Sequence, residues 1–181
     1  MAAMDVCVRI IEANAAKVDG IKLSLLDKDK EVLLRARLSA GVRMYTGDDF
    51  NYAELIAGDG ERYSDALLGI FDPIAPAASA ALIALTEGRL GDFHDIFGPT
   101  VALSRHIFAA PTRFYKTGVV FMAYLNGHQD HFAMVGGQES ARSLLHLAEL
   151  FRLADAAGLL RDPELAISRM RRVLAVRGIE A

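Results

Sequence analysis

Cysteine is nearly absent from this 181-residue chain, with Cys7 its only member. One thiol allows no internal disulfide and no cysteine-rich metal site, and it fits a reducing compartment, so a cytoplasmic location is expected. Long apolar runs are missing too. The opening MAAMDVCVRIIEAN carries Asp5, Arg9 and Glu12 inside its apolar pattern and lacks the unbroken core of a signal peptide. The longest weakly polar stretch, PIAPAASAALIAL, is interrupted by proline and falls short of the roughly 20 apolar residues that span a bilayer, so no membrane partner is expected. Nor is there an excess of positive charge. The net charge is −3 and the basic residues are scattered, apart from Arg169, Arg171 and Arg172 on a terminal helix whose simplest reading is a solvated face. Nucleic acid is therefore not a favoured partner. What is present, 52% apolar and 24% charged residues, is the composition of an ordinary globular chain with room for one core.

The apolar periodicity changes along the chain. Met4, Val8, Ile11 and Ala15 recur at helical spacing and predict a helix to about Lys17. VDGIKLSLL then alternates, with Val18, Gly20, Lys22 and Ser24 on one face and Ile21, Leu23 and Leu25 on the other, as a strand requires. DKDKEVLLRARLSAG predicts a helix with acids at its start, Arg35 and Arg37 near its end, and Gly41 as its cap. A second strand, VRMYTG, a short helix in DDFNYAELIAG, and a third strand, DALLGIFD over 65–72, follow. Pro73 and Pro76 sit where the first turn of the next helix tolerates them. Strand and helix alternate three times, which argues for parallel β/α units over residues 1–88. From Gly88 onward, over 89–181, the pattern is wholly helical, with Gly98 and Pro99 expected to kink or divide the first of these helices. Three parallel strands would leave open edges, so the chain reads either as an open α/β sheet with a helical cap or as the C-terminal piece of something larger.

Lys22 carries the chemistry. Small neighbours on its face, Gly20 and Ser24, leave space beside a long side chain. Burial of a lysine favours the neutral amine, a nucleophile toward carbonyl carbon, which is Schiff-base chemistry. The plainer reading is a lysine that snorkels to the strand end or pairs with Asp19, Asp48 or Asp49.

VDGIKLSLLD, VRMYTGDDF and DALLGIFDPIAP, in this order and at these separations, resemble strands six, seven and eight of the dihydrodipicolinate synthase and N-acetylneuraminate lyase family of class I aldolases. More narrowly, the chain from Val6 to Leu160 resembles the C-terminal half of an uncharacterised dihydrodipicolinate synthase-like branch. The resemblance implies the C-terminal part of a (β/α)8 TIM barrel followed by helices packed on it, with Lys22 matching the imine-forming lysine. It also implies substrate contacts at Gly47 and Leu68. Each of the two has a plain alternative, a turn glycine and a barrel-filling leucine. The chain departs from the family in lacking the strand-five tyrosine and the strand-two threonine pair. Tyr45 matches no catalytic position. The apolar and charged KLSLLDKD after the lysine departs as well, which touches the substrate rather than the imine.

Other clusters are weaker. His128 and His131 in HQDH lack a third ligand nearby and read as solvated surface, so no metal is expected. His94, His106 and His146 fall on helices and read as helix-surface residues, and VGGQES reads as a glycine-assisted helix entry. Apolar stripes such as Leu90, Phe93, Phe97 and Val101 are packing faces, some available to another subunit, so a homo-oligomer is an option. Two readings follow. In one, the protein is a lyase or aldolase whose Lys22 forms an imine with a keto acid or aldehyde, without a cofactor, and which is incomplete as it stands. In the other it is a non-catalytic α/β fragment, a binding or oligomerisation module.

Overall fold

The computed structural model describes residues 2–179, and its backbone divides into two compact units, Met1–Gly69 and Ile70–Ala181. The first unit begins with helix α1, Ala2–Ala13, and strand β1, Gly20–Leu23. Helix α2, Lys28–Arg37, follows because Asp27 caps it, its carboxylate accepting from the Lys30 N–H at 3.2 Å. Strand β2, Arg43–Thr46, helix α3, Tyr52–Ala57, and strand β3, Asp65–Ala66, complete the unit. The strands are parallel in the order β1-β2-β3, with Lys22 opposite Tyr45 and Tyr45 opposite Asp65.

Alternation along these strands decides which side is covered. Ile21, Leu23 and Met44 point to one face, where they meet Ile11 of α1 and Leu34 and Leu38 from α2 and its end. Each fully buried side chain of this kind stabilises by about 1.5–3 kcal/mol. The other face carries Gly20, Lys22, Arg43 and Tyr45, of which Lys22 and Arg43 are exposed.

The expected C-terminal part of a (β/α)8 barrel is not what these residues form. The sheet stops at three strands, and the chain is otherwise mostly helical, a mixed α/β arrangement with no barrel pattern among the described residues. The physical reason lies in the third strand. DALLGIFD pairs only through Asp65 and Ala66, because the chain leaves the ladder after the Leu67 N–H reaches the Thr46 carbonyl at 3.0 Å and turns at Gly69. Strands of four, four and two residues offer too little ladder to curve and close, whereas a barrel requires eight tilted strands.

The second unit is helical: α4, Ala75–Thr86; α5, Leu90–Ile107; α6, Tyr115–Leu125; α7, Leu144–Ala156; and α8, Pro163–Ala175. Pro76 lies in the first turn of α4, and Asp162 caps α8 by accepting from the Leu165 N–H at 3.0 Å. Pro99 lies inside α5, which continues through it as one helix. Phe93, Phe97, Leu103, Phe121, Leu125 and Leu150 are fully buried, and Phe93 and Phe97 meet edge-on at 5.0 Å. Gly118 lets α6 approach α5 and α7, since a methyl group there would lie 3.0 Å from both Ile107 and Leu150. No described helix is long and apolar enough to cross a membrane.

Candidate functional site at the end of strand β1

Two glycines shape the open face of the sheet. A methyl group added to Gly47 would collide with Ser24 Oγ and lie 2.6 Å from Lys22 Cε. Gly47 is therefore the floor on which the lysine stem lies, and the Ser24 hydroxyl is its neighbour. At the other end of the strands, a methyl group on Gly20 would lie 2.7 Å from the Tyr45 ring and 2.6 Å from the Arg43 carbonyl. The tyrosine ring thus covers Gly20, and its hydroxyl donates to Asp19. That hydrogen bond, together with partial desolvation, pushes the Tyr45 phenol above its ordinary range. Lys22 and Tyr45 are register partners, yet their heads diverge, one toward the carboxyl ends of the strands and one toward the amino ends.

The Lys22 ammonium makes no hydrogen bond or ion pair with any described residue. Its expected partners are engaged elsewhere. Asp19 takes the Tyr45 hydroxyl and lies 3.9 Å from Arg43 Nε. Asp48 is buried and accepts from the backbone N–H groups of Phe50 at 2.8 Å and Asn51 at 3.0 Å and from Asn51 Nδ2 at 3.0 Å, closing the turn into α3.

Beneath the turn that carries Gly47 lies a buried polar network. Glu31 of α2 accepts from Thr46 Oγ1 at 3.0 Å and from Ser64 Oγ at 2.7 Å. Thr46 Oγ1 in turn accepts from the Asp48 N–H at 3.2 Å. Arg35, one turn further along α2, donates to the Leu55 carbonyl at 3.1 Å and to Asp59 at 3.0 Å. Burial raises the Glu31 carboxyl above its usual range, against the two hydroxyl donors that lower it. Glu31 acts here as the clamp that joins α2 to the end of β2 and to the segment entering β3.

Of the sequence-predicted site residues, the fold brings Lys22 and Gly47 into contact. Leu68 lies partly buried two residues beyond β3, with β2 between it and β1. The placement of Tyr45 over Gly20 and the Glu31 network were not anticipated. The first had a signal, since alternation puts Tyr45 on the side of Gly47, while the second depends on helix-to-sheet packing. Among the described residues, no group of three or more His, Cys, Asp or Glu side chains is placed to hold a metal. His106 and His146, read as surface, instead stack at 3.9 Å, and His106 Nε2 lies 2.9 Å from the His146 carbonyl.

These features define a mixed α/β protein whose short parallel sheet presents one unpaired lysine at its carboxyl end, the end at which open α/β sheets receive ligands. The chain belongs to the DUF993 family, described as proteins of unknown function, whose model matches residues 1–179. No curated protein matches it.

Proposed function

We propose that Lys22 is the nucleophile of an imine-forming enzyme acting on a small keto acid or aldehyde, in line with the resemblance of GIK and TGDD to class I aldolases of the dihydrodipicolinate synthase type. One observation carries the reading: an unpartnered ammonium laid along Gly47 beside the Ser24 hydroxyl, at the carboxyl end of a parallel sheet. In its neutral form Nζ adds to the carbonyl carbon, the carbonyl oxygen leaves as water, and the resulting imine draws electrons from the adjacent carbon–carbon bond. Ser24, whose hydroxyl borders the same space beside Gly47, would pass on the proton that Nζ sheds. Gly47 supports the bound substrate beside the lysine, and Leu68, separated from β1 by β2, takes no part. The reaction requires no cofactor, and a cytoplasmic setting suits the single thiol. The tyrosine and threonine relay of the aldolases has no counterpart in this chain, so a complete enzyme would supply it from elsewhere. A second reading, a binding or oligomerisation module, draws on the open sheet face and on exposed Leu25 and Leu67.

Borohydride reduction in the presence of a panel of keto acids and aldehydes, read by intact mass, tests this. A stable adduct is expected on the wild type and not on Lys22→Arg. A folded protein that gains no adduct, or gains it equally on both, refutes the lysine's role and favours the second reading.

A further inference from the structure

The second unit carries an open cleft of about 840 Å3 lined wholly by its own residues. That lies within the range of roughly 300–1,000 Å3 typical of small-molecule sites. Its floor is stiff and apolar, made by Pro73, Pro76, Ile96, Pro99, Met122 and Leu159. No Phe, Tyr or Trp lines it, so stacking of a flat ring is not its chemistry. One wall is held in place by Asn126, which donates from Nδ2 to the Leu159 carbonyl at 3.1 Å and accepts at Oδ1 from the Arg161 N–H at 2.8 Å. This side chain pins the α7–α8 connection to the end of α6, so the wall is preorganised.

Four ionisable side chains surround the floor. Asp72 and Asp95 come from the start of α4 and from α5, while His128 and Arg161 come from beyond α6 and from the α7–α8 connection. None of the four side chains forms a hydrogen bond or ion pair with any described residue, so the carboxylates and the guanidinium share one cleft without meeting. All four are exposed at the rim, where their charged ends are open to a ligand that rests on the apolar floor. The acids come from one pair of elements and the bases from another, and no acid and base among them are close enough to form an ion pair, which leaves both signs open to a ligand.

We propose that this cleft binds a small zwitterion, an ammonium and a carboxylate joined by an apolar chain. The ammonium faces Asp72 and Asp95. The carboxylate faces Arg161, whose planar fork suits it, with His128 as a second donor. The chain lies on the proline floor.

Calorimetric and NMR titrations with ω-aminohexanoate and ω-aminooctanoate test the proposal on the full chain, with hexanoate and hexylamine as single-charge controls. None of these probes carries a ketone or aldehyde, so the outcome is independent of Lys22. Saturable binding is expected for at least one amino acid, about tenfold or more tighter than for either control, and weakened at least about tenfold by Asp95→Asn and by Arg161→Gln. Asp72→Asn and His128→Gln replace any variant whose circular dichroism shows that it does not fold. No saturable binding by any probe, controls that bind as well as the amino acids, or folded variants that bind as well as the wild type would each overturn it.

Discussion

Gly20 and Gly47 face the same side of the sheet, yet their replacement by alanine has different consequences, because different atoms stand in the way. At Gly20 the new methyl group meets the Arg43 carbonyl at 2.6 Å and the Tyr45 ring at 2.7 Å. Backbone cannot rotate away, so the strand pair must separate, and Gly20→Ala is expected to cost about 1–3 kcal/mol in urea unfolding. At Gly47 the obstructing atoms are chiefly Ser24 Oγ and Lys22 Cε, ends of side chains that can turn aside. Gly47→Ala is therefore expected to cost less than about 1 kcal/mol while displacing the lysine stem, so that any Lys22-dependent adduct falls severalfold. Equal destabilisation by the two substitutions would show that neither glycine holds the space assigned to it.

At the scale of elements, the contact between α5 and α7 contains a titratable pair. His106 and His146 stack with rings 17° from parallel, and His146 Nε2 is buried without a hydrogen-bond partner among the described residues. Desolvation first, then the neighbouring His106 and Arg142 charges, lower the His146 pKa from 6.5 to about 4. The unfolded chain then takes up a proton near pH 6.5 that the folded chain refuses until about pH 4. Stability from this group is fully present above pH 6.5 and is lost as the pH falls toward 4, by at most about 3 kcal/mol before solvent screening reduces it. Glu31 runs the other way. Its raised carboxyl pKa makes the folded state hold a proton more readily, so its contribution is present below about pH 4.5 and declines as the pH rises through the folded value. The difference between wild-type and His146→Gln urea midpoints isolates the histidine. The variant is expected to lose less stability than the wild type between pH 6.5 and pH 4, and parallel profiles would remove His146 as the cause.

At the scale of the whole molecule, each unit has its own core, one of aliphatic side chains between a sheet and two helices, the other built around Phe93, Phe97 and Phe121 among helices. The single thiol, Cys7, lies partly exposed on α1. Mild oxidation is therefore expected to yield a covalent dimer and nothing larger on a non-reducing gel, and Cys7→Ser should abolish that dimer. Disulfide-linked species in the Cys7→Ser protein would contradict this.

The sequence by itself determined local structure and singled out one lysine. Period-two alternation over GIKL and RMYT and Pro76 in the first turn of α4 are short-range effects, and each is found where it was expected. Lys22 stood out because an ammonium interrupts an apolar strand between small residues, a pattern readable within five positions. Tertiary structure decided what depends on partners distant in the chain. DALLGI is an apolar run that suits a strand or a turn, and only its pairing with β2 limits it to two residues, which removes the barrel. The Glu31 clamp, the His106–His146 stack and the charges around the cleft arise when helices distant in sequence pack together. Their energies come from desolvation and from geometry between elements, and neither is a property of any local stretch of sequence.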